Sequence, residues 1–454
     1  MSKIIVDLSD LIDWYKHHLN VTGIQRVVEQ IFSQSEYFDP DNVQFVFRIA
    51  DRKNFYFIDK NIIFMLANSD SKLQAIKQIR NLKIEPSTHE KIADFLRKIR
   101  SHPLIVFPWA LRKLTGFSHW LHHHLFAHPD ETKDKAKPTG IFNFEGGEIC
   151  IIAGAFWLLG DTAAVYEKIK REKNIEIQLF LYDLIPITHH YFCDDALADS
   201  FRKQLDVFIP NADNIISISQ YTKTELEKYT ETRGFKAPPV EVLKFGFVSD
   251  VLRIDPELEI DALKTLNLVG VDYALCVGTI EPRKNPGLLL DVWKNLFRMY
   301  GNKTPTLVFA GRRGWKTDWF FGELLKCNYL DGKIKVLHDL SDPNLALLYR
   351  RAKAVLFPSY IEGWGLPVEE AIAFGKYTLA SNRSSIPEAG RDCAFYFDPF
   401  DQDALQEELT RCFRDENYVL EKEKLISDKR AELAQNYTWQ KTAEQLLEIV
   451  ATGN

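Results

Sequence analysis

From about residue 272 onward, short apolar runs alternate with segments whose apolar positions recur every three or four residues. The first kind of run suits strands buried on both faces, and the second suits helices packed along one side. YALCVG (273–278) predicts a strand, and after the loop TIEPRK, Asn285 can cap a helix whose first residue is Pro286. LVFAG (307–311) and IKVL (334–337) predict two more strands, followed by a helix capped by Asp342, opened by Pro343 and running through Tyr349. VLFPS (355–359), a loop YIEGWGL, a helix from Pro367, TLAS (378–381) and AFYF (394–397) complete the series. Strands joined by single helices need right-handed crossovers, so the expectation is a mostly parallel, doubly wound sheet.

The first half repeats this alternation with interruptions. KIIVDL (3–8), QLFLYDL (178–184) and NIISIS (214–219) predict strands, and VEVLKFG (240–246) leads out of the lobe. GIQRVVEQIF (23–32) predicts a helix with Ile24, Val27, Val28 and Ile31 on one face. The boundary falls between Gly246 and Asp255, giving a first domain over 1–250 and a second over 251–435. TWQKTAEQLLEIV (438–450) is amphipathic and is expected to dock back on the first lobe as part of a segment 436–454. The class is α/β, with two Rossmann-like lobes facing across a cleft, where such arrangements collect ligands.

Length agrees: 454 residues exceed the roughly 250–300 that one core can serve. A net charge of −6 argues against a surface built for nucleic acid. The N-terminus MSKIIVDLSD meets Asp7 before any signal-peptide apolar region can form, and CIIAGAFWLLG (150–160) is too short to span a bilayer. The six scattered cysteines read as buried thiols in a reducing cytoplasm, with no structural metal.

Residues 71–138 break the alternation and are expected to form a helical insertion. Between Lys72 and Lys113 ten basic residues face three acids, +7 locally, leaving −13 for the remainder. In PLIVFPWALRKLTGFSHWLHHHLF (103–126), Trp109, Phe117, Trp120 and Phe126 mix with Arg112, Lys113 and His122 to His124. Bulky aromatics beside cations suit an anionic membrane surface; a lobe insertion with core aromatics and solvated lysines is the alternative. Three consecutive histidines on a helix point in three directions and do not converge on one metal.

The most informative stretch is EGWGLPVEEA (362–371). Eight helical positions rise about 12 Å, so Glu362 belongs to the loop if it and Glu370 are to serve one ligand. Gly363 and Gly365 permit close backbone approach, and Pro367 opens a helix whose first N–H groups suit a diphosphate. Glu370 can take two ribose hydroxyls, and Glu362 sugar hydroxyls farther out. A helix start decorated with acids accounts for Glu369 and Glu370, but not for the glycines or Trp364.

This stretch resembles the E-x7-E signature of retaining family 4 glycosyltransferases of GT-B fold, of the bacterial polysaccharide type. VGTIEPRKN (277–285) resembles that family's phosphate-binding segment, ASNRSSIPEAG (380–390) the strand and turn after the signature, and YTWQKTA (437–443) the start of its C-terminal helix. Many members carry Arg after the strand glycine Gly278. Here Thr279 stands there, so the cationic role falls to Arg283 and Lys284. The resemblance implies donor contacts at Gly278, Thr279, Gly363, Trp364, Gly365, Leu366 and Glu370. It implies catalytic roles for Glu362, Arg283 and Lys284, and no metal or other cofactor.

In the first half, VTGIQRVVE (21–29) resembles the loop that meets the donor phosphate from the opposite lobe, lining the cleft with Thr22, Gly23 and Arg26; Thr22 is equally a plain helix cap. YDLIPITHH (182–190) sets Asp183, His189 and His190 at a strand's C-terminal end, Asp183 being the preferred acceptor-side residue. Many relatives have His before that Asp; here it is Tyr182. The implied activity is hexose transfer, mannose or a related sugar, from a nucleotide diphosphate sugar such as a GDP-hexose to a glycan or lipid-linked acceptor. The implied location is cytoplasmic, peripheral to the inner membrane face. A GT-B epimerase or phosphorylase, or a non-catalytic glycan-binding scaffold, are the other classes the residues admit.

Overall fold

The computed structural model describes residues 2–19, 21, 23–38, 41–49, 54–82, 140–247 and 256–452. Its first sheet comprises β1 (Ile4–Asp7), β2 (Val43–Arg48), β3 (Phe55–Ile58), β4 (Ile141–Phe142), β5 (Ile149–Ile152), β6 (Glu176–Leu181), β7 (Asn214–Ser217) and β8 (Val240–Val242). They lie in the order β4-β3-β2-β1-β5-β6-β7-β8. All pairs are parallel except β2 with β3 and β3 with β4. Both faces are covered because successive strand residues serve opposite cores: Val6, Phe45 and Ile151 on one side, Ile5, Val46 and Ile152 on the other.

The second sheet comprises β9 (Tyr273–Val277), β10 (Thr306–Ala310), β11 (Ile334–Leu337), β12 (Ala354–Phe357), β13 (Thr378–Ser381) and β14 (Ala394–Phe397). The order is β11-β10-β9-β12-β13-β14, parallel throughout. Cys276, Phe309 and Leu356 face one core and Leu275, Val308 and Val355 the other. Asn285 caps the helix Pro286–Tyr300 through its side chain, accepting from the Leu288 amide at 3.3 Å. The helix Asp342–Arg351 is capped differently from the sequence expectation. Ser341 is its cap, accepting from the Asn344 amide, and Asp342 is the first helical residue. The helix starts one residue earlier than expected, so the Ser341 hydroxyl takes the capping place expected of the Asp342 carboxylate.

The strands β2 to β5 were not foreseen. β3 and β4 extend the sheet antiparallel from β2, with β4 at its edge, and β5 sits within the apolar stretch read only for membrane-spanning length. No helix among the described residues is long and apolar enough to cross a membrane.

The helix Trp439–Thr452 returns to the first domain. Trp439, Ala443, Leu446 and Val450 join its core, and Gln445 Oε1 accepts from the Lys244 amide at 3.0 Å. Of the basic insertion, the helix Ser69–Arg80 is described. Lys72 bonds Glu29 at 2.7 Å, and Arg80 donates to the carbonyls of Tyr15 and His18. Two of the counted cations therefore anchor this helix inward. Residues 83–138, with Trp109, Trp120 and the three histidines, and most of the proposed boundary (248–255) lie outside the described residues.

Candidate active site

The start of the helix Ile24–Phe32 and the loops after β6, β9 and β12 converge between the two sheets on a cavity of about 400 Å³. Strand C-terminal ends are where an open α/β sheet leaves backbone and side chains free to meet a ligand. Gly23, Arg26, Tyr182 and Asp183 line it from the first domain; Gly278, Thr279, Arg283, Lys284, Glu362 to Leu366 and Glu370 line it from the second. Thr22 lies outside the described residues. Segments far apart in the chain thus share one chamber, whose wall includes the first turn of the helix Leu366–Ala373.

At its centre Glu362 accepts two cations. Arg283 Nη1 pairs with Oε2 and Lys284 Nζ lies 2.9 Å from Oε1. These side chains are only 12, 18 and 14% exposed for Glu362, Arg283 and Lys284, so the charges interact with little screening. Burial alone would raise the Glu362 carboxyl, but the Arg283 and Lys284 charges hold it at about 2. Arg283 is fixed further by Glu281 at 2.5 Å and by the Ile361 carbonyl at 2.9 Å. Lys284 lies over the Phe357 ring, 4.9 Å from its centroid.

A second cluster closes the other end. Arg26, on the helix Ile24–Phe32, pairs across the cleft with Glu370 Oε1, while the Tyr349 hydroxyl donates to Oε2 at 2.6 Å. Glu370 raises the Arg26 pKa. Gly23 starts that helix at φ 51°, ψ −119°, a conformation a side chain would strain. Asp10 holds the helix's Gln25 at 3.0 Å and the Ala155 amide at 3.2 Å.

Asp183 sits where the lobes touch. A Cβ on Gly363 would stand 2.4 Å from the Tyr182 carbonyl oxygen and 3.0 Å from Asp183 Cβ, so only glycine allows this approach. Burial pushes the Asp183 carboxyl up to about 6, against the opposing pull of Arg283 and of the Ile185 amide it accepts from at 2.9 Å. Tyr182 is buried and donates to the Ala153 carbonyl at 2.6 Å. His189 and His190 do not line this chamber. Trp364 lines it, but its ring also packs on Phe245 of the first domain, centroids 5.6 Å apart.

Sequence reasoning missed Glu281, Tyr349 and Asp10 as supports, and gave no role to Glu388. The Glu388 carboxylate accepts from the Gln220 and Tyr221 amides at 2.7 and 2.9 Å, capping the first-domain helix Gln220–Arg233 from the second domain. A hydrophilic residue with a partner 168 positions away carries no local signal. Among the described residues no group of three or more His, Cys, Asp or Glu is placed to hold an ion. The sequence holds Asp-x-Asp pairs, a spacing that metal sites use, at 39–41 and 401–403; Asp401 caps a helix, accepting from the Ala404 amide at 2.9 Å, and Asp39 and Pro40 lie outside the described residues.

Two Rossmann-like domains with a shared site between their strand ends define the GT-B class. Residues 264–436, within the second domain, match the family described as glycosyl transferases group 1. The chain is 27% identical over 246 residues to O-antigen chain mannosyltransferase B of Escherichia coli, an alignment covering 54% of this chain and 62% of that protein. It is 34% identical over 113 residues to an MMP alpha-(1->4)-mannosyltransferase of Mycolicibacterium hassiacum, covering 24% of this chain and 27% of that one. The chain thus spans less than two thirds of these relatives. In structure it resembles Anabaena HepE in complex with UDP-glucose, with a TM-score of 0.61, 12% identity and full coverage of both chains. It also resembles sucrose-phosphate synthase from Thermosynechococcus elongatus, with a TM-score of 0.58, 17% identity and coverage of 100 and 99%.

Proposed function

We propose that the protein is a metal-independent, retaining glycosyltransferase that moves a hexose from a nucleotide diphosphate sugar to a glycan or lipid-linked glycan. The observation that carries this reading is the interdomain chamber in which Arg283 and Lys284 stand beside the start of the helix Leu366–Ala373. Breaking the sugar–phosphate bond puts negative charge on the diphosphate. Fixed cations and helix-end N–H groups lower that barrier because they are already oriented when the charge appears. Glu362 holds both cations and, with one oxygen exchanged, can accept a sugar hydroxyl. Glu370 serves the ribose hydroxyls in exchange for Arg26, and Asp183 takes the acceptor side. The names of the relatives favour mannose, and GDP is the nucleotide expected with it.

We also propose peripheral membrane association through residues 72–126, resting on the sequence alone, which would bring a lipid-linked acceptor to the cleft.

A donor panel tests the central reading: GDP-mannose, GDP-fucose, UDP-glucose and UDP-galactose with the purified protein, with mass detection of released nucleotide and NMR of the product anomer. Nucleotide release with retained anomeric configuration is the expected result. Stabilisation by GDP or UDP without turnover of any donor would return the protein to the binding class.

A further inference from the structure

Beside the donor chamber runs a second crevice of about 500 Å³, also between the domains. Its walls are aromatic: Tyr191, Phe192 and Tyr221 from the first domain, Tyr360 and Phe400 from the second. Phe192 and Tyr360 lie parallel across the domain boundary, centroids 5.8 Å apart at 8°, and Tyr360 and Phe400 lie 5.0 Å apart at 32°. Phe400 packs on Tyr360 and under Arg383, and Tyr191 on Phe192, yet Phe400 is 73% exposed and Tyr191 57%, so each ring keeps open surface in the crevice. Large aromatics left open in a crevice call for a ligand.

The crevice charges are balanced. Its arginine, Arg383, is paired with Asp398 at 2.6 Å, and burial lowers the pKa of its histidine, His189. A neutral ligand fits better than an anionic one. Sugar rings meet that description: their C–H faces carry slight positive charge that matches an aromatic face, and their hydroxyls suit the polar rim of His189 and Ser384. The crevice also continues the reaction site. Tyr360, Ile361 and Glu362 are consecutive, and the Tyr360 amide donates to the Arg283 carbonyl at 2.9 Å. Glu388 fixes the far wall through the Tyr221 amide.

We infer that this crevice is a subsite for a neutral sugar unit of the acceptor chain, lying outside the donor chamber and stacked on Phe400 and Tyr191. The inference rests on the transferase reading above and adds to it the place of the acceptor chain. It makes these aromatics determinants of acceptor length.

The test uses the full chain with mannotriose, maltotriose and isomaltotriose as probes, followed by saturation-transfer NMR, beside Phe400→Ala, Tyr191→Ala and the conservative Phe400→Tyr. At least one trisaccharide should bind, with affinity about three- to tenfold weaker in each alanine variant, retained in Phe400→Tyr, and with GDP and UDP affinity unchanged in all. Binding of none of the three, or equal binding by wild type and both alanine variants, overturns the subsite. Sedimentation with phosphatidylglycerol vesicles that Phe400→Ala abolishes would assign the crevice to lipid and also overturn it. Failure of the transferase reading looks different: wild type would consume no donor, while the trisaccharide signals stay as expected.

Discussion

Arg26 and Glu370 are 344 residues apart in the chain and form an ion pair across the cleft, joining the two domains at the point where a donor nucleotide is expected. Glu370 is 9% exposed at its side chain, so losing its partner leaves a carboxylate with little access to water. Arg26→Ala and Glu370→Gln are therefore expected to be non-additive, with a coupling of about 1–3 kcal/mol in a double-mutant cycle read by urea unfolding. Additive losses would mean that the pair contributes no joint stability.

Glu370→Gln should also weaken GDP or UDP binding measured by calorimetry, because the amide replaces one of the two acceptor oxygens with a donor and removes the charge that strengthens bonds from the ribose hydroxyls. Unchanged affinity would remove Glu370 from the ribose site.

Lys284→Ala and Arg283→Ala should each lower turnover by on the order of 10²–10³, the usual cost of removing a charge-stabilising donor. Their stabilities should differ. Lys284→Ala leaves Glu362 with Arg283, whereas Arg283→Ala leaves Glu281 without that partner and takes one of the two cations from Glu362, so its melting temperature should fall further. Near wild-type kcat in both variants would overturn the leaving-group role.

Asp183 supplies a pH signature. Its carboxyl is raised from 3.8 to about 6, so the folded state binds the proton more tightly than the unfolded chain. Stability should fall as pH rises through that window, and the cost should persist above it. Asp183→Asn should then raise the melting temperature relative to wild type at pH 8 and not at pH 3.5. If the ionised carboxylate serves the acceptor, kcat/KM should drop below about pH 6, and this limb should vanish in Asp183→Asn.

Transfer should be insensitive to EDTA if, as proposed, Arg283 and Lys284 supply the charge that magnesium provides elsewhere. Loss of activity with chelator and its return with magnesium or manganese would contradict this.

Binding to phosphatidylglycerol vesicles should be stronger than to neutral ones and should weaken with salt, each cation near the surface contributing about 1 kcal/mol. Lys72 and Arg80 are tied into the fold, so replacing them should affect stability more than partitioning. Equal sedimentation with both vesicle types would remove the membrane role.

The strands of the second domain were legible because βαβ units leave local marks: apolar runs of strand length, Pro at a helix start, Asn285 as a cap. The same locality exposed the loop Glu362–Gly365 and the cations at 283 and 284, each a short motif whose chemistry lies within ten residues. The strands β2 to β4 left no such mark, since the antiparallel pairing of β2 with β3 and β3 with β4 is decided by partners and not by a repeating unit. Tertiary structure alone decided how the charges are shared. Glu362 takes both cations, Glu370 takes Arg26 and Tyr349, and Glu388 caps a helix in the other domain. Arg26 with Glu370, and Glu388 with the Gln220 and Tyr221 amides, are joined by domain packing, and the others by the folding of the second domain; a sequence records the residues that make such a pair but not the distance between them.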